Sequence, residues 1–358
     1  MYIKSLELLN YRNYEKLNIE FNKNINLILG KNAQGKTNLI EAIYLSAFGK
    51  SFRTNKDNEM ITFAKDRAKV QVKAEKEDEE IKLELFFNKE LKKSAKINGV
   101  KLKKASEILD NIYIIIFSPE DLKIVKEEPE KRRKFIDREL CLLKPIYYNN
   151  LIQYKKILAQ RNAYLKEQQI DKKVLDVWDT QLAKYGRQLI IQREEFIEKI
   201  NKASKKIHSK ITNGKENLEI IYNPNVKLDE DFYIILKENI ENDIRQRTTT
   251  KGPHKDDIIF HINEINARSF GSQGQQRTCA LSLKLAEISL IKEETDEDAI
   301  LLLDDVMSEL DEERQEFLLK SLSKTQMFIT TTELSDALLD KFKEASIFDV
   351  KNGKINKR

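Results

Sequence analysis

Hydrophobic positions along the chain change their period twice, and the changes divide it into three stretches. From Met1 to about Phe117 the pattern predicts mostly strands. Tyr2–Leu8 and Leu17–Phe21 alternate in period two and flank a turn at Tyr11–Tyr14. Ile25–Leu29 is short and apolar and predicts a buried strand. Asn38–Phe48 then carries apolar residues at helical spacing, followed by a basic, polar loop at Gly49–Thr54. Lys69–Ala74 and Ile81–Phe87 predict an antiparallel pair. Asn98-Gly99, between Ile97 and Val100, predicts a two-residue hairpin turn. Ile112–Phe117 predicts a further buried strand, closed by Ser118-Pro119.

From about Pro119 to Ile244 the period becomes helical. A charged helix is expected within Asp121–Cys141 and a second from Ile146 to Gln168 behind Pro145. After a turn at Asp171–Lys173, a long helix is expected from Val174 to Thr212. Its stripe is Trp178, Leu182, Tyr185, Leu189, Phe196, Ile200, Ala203, Ile207 and Ile211, close to a repeat of about 3.5 residues. The two longer helices are expected to fold back as an antiparallel pair. Asn213-Gly214 stops the second. Leu218–Tyr222 predicts a short strand and Asp229–Asn242 one helix.

The strand-bearing pattern resumes near Arg245. Ile258–Ile262, Ala299–Leu303 and Met327–Thr330 predict strands. Gly271–Gln276 opens a helix to about Ile291, Asp311–Leu322 predicts another, and a last hairpin turns at Asn352-Gly353. The expectation is an α/β fold with mixed sheets. Both chain ends, 1–118 and 245–358, build a head, and 119–244 is an inserted helical arm. No Gly/Ser-rich linker bounds the insert, so it grows out of the head.

Composition narrows this picture little. A chain of 358 residues can bury a large core in two lobes. The net charge of +5 allows an anionic partner without demanding one. Cys141 and Cys279 form no C-x-x-C pair, so neither a zinc site nor a disulfide framework is expected, and both read as small buried residues. No signal-peptide pattern opens the sequence and no apolar run is long enough to span a bilayer. The expectation is a soluble cytoplasmic protein without a membrane partner.

The chemistry is concentrated in Gly30-Lys31-Asn32-Ala33-Gln34-Gly35-Lys36-Thr37, which fits G-x-x-x-x-G-K-[ST] without a mismatch. A strand before it and a helix after it turn backbone N–H groups toward a polyphosphate. Lys36 can reach the β- and γ-phosphates of ATP, and the Thr37 hydroxyl can sit on Mg²⁺. A second apolar strand ends in Asp304-Asp305. Asp304 is placed to hold Mg²⁺ and Asp305 to orient or deprotonate the attacking water.

Ser272-Gln273-Gly274-Gln275, at the start of a helix, resembles the signature motif of ATP-binding-cassette (ABC) ATPases. In that superfamily the motif faces the γ-phosphate held by a second subunit, so two helix N-termini meet one polyanion. Ser308-Glu309-Leu310-Asp311 resembles the D-loop at the same interface. About 235 residues separate Lys36 from Ser272, too many for a transporter ATPase. The layout resembles the heads of chromosome-maintenance (SMC) proteins, but the insert is too short for a long coiled coil and lacks a zinc hook.

Across nearly the whole chain the sequence resembles the RecF family of bacterial recombination mediators. The resemblance rests on Leu9–Tyr14, Gly30–Asn38, Lys50–Thr54, Ser118–Leu122, Gly252–Asp257, Gly271–Thr278 and Leu301–Asp311. It implies an ABC-type ATPase head, an ATP-dependent homodimer on DNA, and slow hydrolysis used as a switch. It further implies repair at single-strand gaps or duplex junctions, recombinase loading with RecR and RecO, and SOS induction. Arg12 and Arg53 would touch nucleotide by the same analogy. Three features depart from the wider ABC pattern: Asp305 stands where most members have Glu, Thr331-Thr332 where a switch histidine is usual, and no Q-loop glutamine is evident near Pro119–Asp121. The alternative is another SMC-like ATPase, such as an ATPase–nuclease subunit, which would carry a further C-terminal metal-binding domain not expected here.

DNA contacts are harder to read. Lys131, Arg132, Arg133 and Lys134 form one basic run, and Lys202, Lys205, Lys206 and Lys210 another. Phosphate contacts require only cations on an accessible face. A solvated helix face paired with Glu gives the same pattern. His254 and His261 read as structural.

Overall fold

The computed structural model describes residues 1–77, 79–322, 325–332 and 345–358. The chain divides into two compact units, Met1–Asp121 with Glu287–Arg358, and Leu122–Ala286. In the first unit the elements run β1 (Tyr2–Tyr11), β2 (Tyr14–Glu20), β3 (Ile25–Leu29), α1 (Lys36–Phe48), β4 (Arg67–Lys76), β5 (Glu79–Asn88), β6 (Ser94–Ile97), β7 (Val100–Lys101) and β8 (Ile114–Phe117). The second unit holds α2 (Pro129–Leu143), α3 (Pro145–Tyr164), α4 (Lys172–Ile211), β9 (Leu218–Asn223), α5 (Phe232–Glu238), α6 (Ile240–Gln246), β10 (Asp257–Ile262), β11 (Ile265–Asn266) and α7 (Ala267–Phe270). Helix α8 (Gln273–Thr295) runs through the boundary, and the first unit resumes with β12 (Ile300–Asp304), α9 (Glu312–Ser321), β13 (Met327–Thr331), β14 (Ser346–Lys351) and β15 (Lys354–Lys357).

Two sheets build the first unit. One is antiparallel, in the order β2-β1-β4-β5-β6-β7. Its β6–β7 turn is the expected Asn98-Gly99, with φ of 49° and 83° and Ile97 paired to Val100. The other has the order β15-β14-β3-β13-β12-β8 and is parallel except for β15. Its central strands are buried along nearly their whole length, which is why they read as continuous apolar runs without alternation. Helix α1 touches strands of both sheets, so it is buried almost all round and shows no polar face.

In the second unit α3 and α4 run antiparallel, with Tyr147 meeting Arg193 and Arg161 meeting Asp179. The buried face of α4 includes Leu182, Leu189, Phe196 and Ile200, as expected, but the same face also holds Asp179, Gly186 and Arg193. Trp178 and Tyr185 stand at the edge of that seam. Hydropathy alone misplaced the stripe because two of its buried positions are charged. Arg161 Nε bonds Asp179 Oδ1 at 2.6 Å and its Nη1 bonds Asp243 Oδ2 at 2.7 Å. Arg193 bonds Asp137 Oδ1 at 2.8 Å and Asp256 Oδ2 at 2.7 Å. Buried charge is tolerated only when paired in this way.

Two further expectations are corrected. The helix expected over Asp229–Asn242 is two helices that break at Asn239, whose Nδ2 bonds Asp243 Oδ1 and Thr250 Oγ1. The charged helix begins inside the expected stretch, at Pro129, whose missing N–H and fixed φ suit a first helical turn, but runs past Cys141 to Leu143. Cys279 is buried, and burial pushes its thiol pKa up; Cys141 is only half-buried.

Candidate nucleotide-binding site

The phosphate loop joins the end of β3 to the start of α1. Three of its residues have positive φ, Gly30 at 159°, Ala33 at 64° and Gly35 at 117°. A Cβ on Gly35 would lie 2.6 Å from Asn13 Nδ2, so glycine is required by both backbone and space. The loop is gripped from two sides. Asn13 Nδ2 donates to Gln34 O at 2.9 Å, and Tyr14 Oη to Gly35 O at 3.0 Å. The tip of the β14–β15 hairpin adds Asn352 N to Gln34 Oε1 at 2.8 Å and Gly353 N to Gln34 O at 3.2 Å. No side chain caps α1. Its first-turn N–H groups therefore stay available to an anion. Lys36 is 4% exposed, and its Nζ donates to Gly30 O at 2.8 Å, folded across the loop.

The acid pair lies two strands away in the same parallel sheet. Asp304, at the end of β12, is 8% exposed. Its Oδ1 accepts from Thr37 Oγ1 at 3.2 Å and from Thr330 Oγ1 at 2.8 Å. Burial raises its pKa above the ordinary carboxylate value, with the neighbouring Asp305 charge adding to the rise; Thr330, Thr37 and Lys36 work against it. Asp305 has φ of 53°, a left-handed conformation that Asp and Asn adopt more readily than longer side chains. That backbone gives a physical reason for Asp here in place of Glu. Its side chain is 37% exposed, 3.9 Å from Lys36 Nζ.

These residues fit a magnesium–nucleotide. An uncapped helix start suits the phosphates, and a hydroxyl beside a buried carboxylate with no ion-pair contact among the described residues suits a divalent cation. Thr37 and Asp304 would hold the metal, which supplies charge neutralisation at the phosphates. Asp305 keeps an exposed carboxylate that can take a proton from water.

Beside the loop stands a residue that the sequence did not single out. Glu41 is fully buried in α1, and Arg12 clamps it with Nε at 2.8 Å and Nη2 at 2.7 Å, joined by the Ser51 hydroxyl. Arg12 is thereby tied to Glu41. Arg53 remains 43% exposed and donates to Asn38 Oδ1 at 2.7 Å. The available signal was a lone acid inside the apolar run Leu39-Ile40-Glu41-Ala42-Ile43.

Ser272 and Gln275 form a capping box at the start of α8. Ser272 Oγ accepts Gln275 N at 3.2 Å, and Gln275 Oε1 accepts Ser272 N at 2.9 Å. Gln275 Nε2 is further tied to Glu216. Ser272 and Gln273 are exposed and Gly274 half-buried, within the second unit; the phosphate loop belongs to the first. Ser308 is exposed and its hydroxyl donates to Asp305 O at 2.9 Å. Asp311 caps α9 by accepting Arg314 N at 2.9 Å.

The basic run on α2 is corrected in part. Arg132 is 2% exposed and bonds Asp257 with Nε at 2.6 Å and Nη2 at 3.0 Å, so it is a structural ion pair and cannot meet DNA. Arg133 donates to Asp256 O at 2.7 Å, and Lys131 pairs with Glu127. Lys205 and Lys206 are exposed on α4 and have no ion pair among the described residues. The motif Gly252–Asp257 proves to be an anchor: Asp256 meets Arg193, Asp257 meets Arg132, and His254 meets Tyr154 Oη at 2.6 Å. Burial lowers the His254 pKa to about 4, so it stays neutral. The third histidine, His208, is fully buried beside Ser282 and Glu216.

A phosphate loop and an acid-ended strand on one parallel sheet, with a large insertion between that loop and the serine-capped helix α8, define the class as an ABC-type P-loop ATPase head. Residues 2–356 match the family described as RecF/RecN/SMC N terminal domain. The chain belongs to that family, as a RecF-type DNA replication and repair protein. It is 48% identical to the DNA replication and repair protein RecF of Clostridioides difficile (strain 630), covering 99% of this chain and 98% of that one. With the same protein of Alkaliphilus oremlandii it shares 47% identity over 99% and 100%. The solved recombination mediator protein RecF with ATP, of the RecFOR pathway, superposes with a TM-score of 0.92 at 38% identity, covering 100% and 97% of the two chains. An Smc head domain from Pyrococcus furiosus shares the fold, with a TM-score of 0.57 at 18% identity over 100% and 96%. Among the described residues no helix is long and apolar enough to cross a membrane.

Proposed function

We propose that the chain is an ATP-controlled DNA-binding switch. ATP and Mg²⁺ occupy Gly30–Thr37 with Asp304, and Asp305 activates the water. Two copies sandwich two nucleotides, each between one copy's phosphate loop and the other's Ser272–Gln275, with Ser308 and Asp311 at the same interface. Closure gathers a DNA-binding surface, to which Lys205 and Lys206 contribute, and hydrolysis releases it. Asp305 on its short side chain, and threonines in place of a switch histidine, suit slow, DNA-dependent turnover. The helices of the insertion act as an arm on the nucleotide-binding head.

The observation that carries this function is the complete half-site: Lys36 folded over the loop, Thr37 bonded to Asp304, and Asp305 left exposed. The descriptions of the relatives as DNA replication and repair proteins, and of solved ones as recombination mediators of the RecFOR pathway, support a role in recombinational DNA repair, for which we propose single-strand gaps in the cytoplasm as the place of action. RecR- and RecO-like partners and recombinase loading belong to the same proposal. Fluorescence anisotropy of labelled gapped DNA tests it. Binding should tighten when ATP is added and relax as ATP is consumed; equal affinity with and without ATP would reject the switch.

A further inference from the structure

The two halves of the site are joined through one dipeptide at the end of β13. Thr330 is fully buried. Its hydroxyl donates to Asp304 Oδ1 at 2.8 Å and accepts the backbone N–H of Asp305 at 2.9 Å. A hydroxyl has one proton to give and lone pairs to receive, so both bonds coexist. The next residue, Thr331, accepts Gly30 N through its carbonyl at 3.3 Å, where the phosphate loop begins. β13 lies between β3, which leads into that loop, and β12, which ends in the acids.

This placement matters most for Asp305. At φ of 53° its backbone has left the strand conformation, so no ladder bond fixes it. The bond from its N–H to Thr330 does so instead. For Asp304, Thr330 and Thr37 both bond the same oxygen, one from the end of β13 and one from the first turn of α1. A buried carboxylate held by two hydroxyls is fixed in rotation before any ligand arrives, and preorganised groups bind with less loss of freedom.

We propose that Thr330 is a positioning residue: its hydroxyl holds Asp304 and Asp305 in register with Lys36 and Thr37. The inference rests on Asp304 and Asp305 being the acids of the nucleotide site. It assigns to the end of β13 a mechanical link between the phosphate loop and the acid pair.

The test compares full-length variants Thr330→Val, Thr330→Ser and Asp304→Asn. A fluorescent ATP analogue is titrated with Mg²⁺ and again with EDTA, and hydrolysis is measured alongside. Wild type should gain affinity from Mg²⁺. Thr330→Val, which keeps the shape and loses the hydroxyl, should lose most of that gain, roughly tenfold, while its affinity in EDTA stays unchanged. Its turnover should fall as well. Thr330→Ser keeps the hydroxyl and should stay within about threefold of wild type in both measurements. A packing role predicts the reverse order, with Val close to wild type and Ser impaired, and that result would overturn the proposal. If Thr330→Val does not fold, as judged by thermal melting, Thr330→Ala against Thr330→Ser makes the same comparison, since the pair differ by one oxygen. Equal behaviour of Ala and Ser would also overturn it. Asp304→Asn separates the two layers. If it keeps the full Mg²⁺ gain, the acid assignment itself is wrong; if it loses the gain while Thr330→Val keeps it, only the role of Thr330 fails.

Discussion

Thr37 Oγ1 donates to Asp304 Oδ1 across 3.2 Å, although 267 positions separate them in the chain. One belongs to the first turn of α1 and the other to the last residue of β12. Their contact makes one site of two sequence motifs that are each incomplete alone.

Lys36→Ala should lose most of the affinity for ATP. The lysine is already folded across the loop, so its charge-assisted phosphate contact needs little reorganisation. A fall of roughly tenfold or more is expected by fluorescent-ATP titration, with the melting temperature of the nucleotide-free protein little changed.

The acids should separate by role. Asp305→Asn should bind Mg·ATP and hydrolyse it far more slowly, since an amide takes no proton. Asn also tolerates the φ of 53° found there. Asp305→Glu keeps the carboxylate but strains the left-handed backbone, by about 1 kcal/mol. Single-turnover hydrolysis and melting curves check both.

Asp304 gives a pH prediction. Burial holds its folded-state pKa above the unfolded value of 3.8. Such a group contributes stability fully below the unfolded pKa and loses it as pH rises through the folded value. At neutral pH the ionised carboxylate therefore costs stability in the nucleotide-free protein. Asp304→Asn should melt higher than wild type at pH 7 without ligand, and the difference should shrink toward pH 4. With Mg·ATP added the order should reverse, because only wild type gains from the metal.

The glycine loop and its flanking strand and helix were legible because phosphate binding imposes local spacing on glycine, lysine and threonine. Glu41 and Thr330 were not, since their partners Arg12 and Asp304 lie 29 and 26 positions away and leave no periodic trace. The α4 seam was misread for a related reason. Asp179 and Arg193 sit at buried positions that hydropathy assigns to the surface, and their burial is made tolerable by Arg161 for the first and by Asp137 and Asp256 for the second. The same blindness made Arg132 look like a DNA contact.

The basic residues should now divide. Arg132→Ala breaks a buried pair and should destabilise the fold by roughly 3 kcal/mol, read as a shifted urea midpoint. Lys205→Ala with Lys206→Ala should leave that midpoint nearly unchanged and weaken DNA binding. Each lost phosphate contact should reduce the slope of log affinity against log salt by about 0.9.

The central claim is that ATP closes two copies across Ser272. Sedimentation of wild type and Ser272→Arg, each with and without ATP, tests it most directly. The phosphate loop is untouched in the variant, so monomer ATP binding should persist. An arginine at the exposed start of α8 would block its approach to a nucleotide on the other copy. The account predicts an ATP-dependent dimer for wild type and a monomer for Ser272→Arg under the same conditions. A Ser272→Arg dimer of wild-type strength would contradict it.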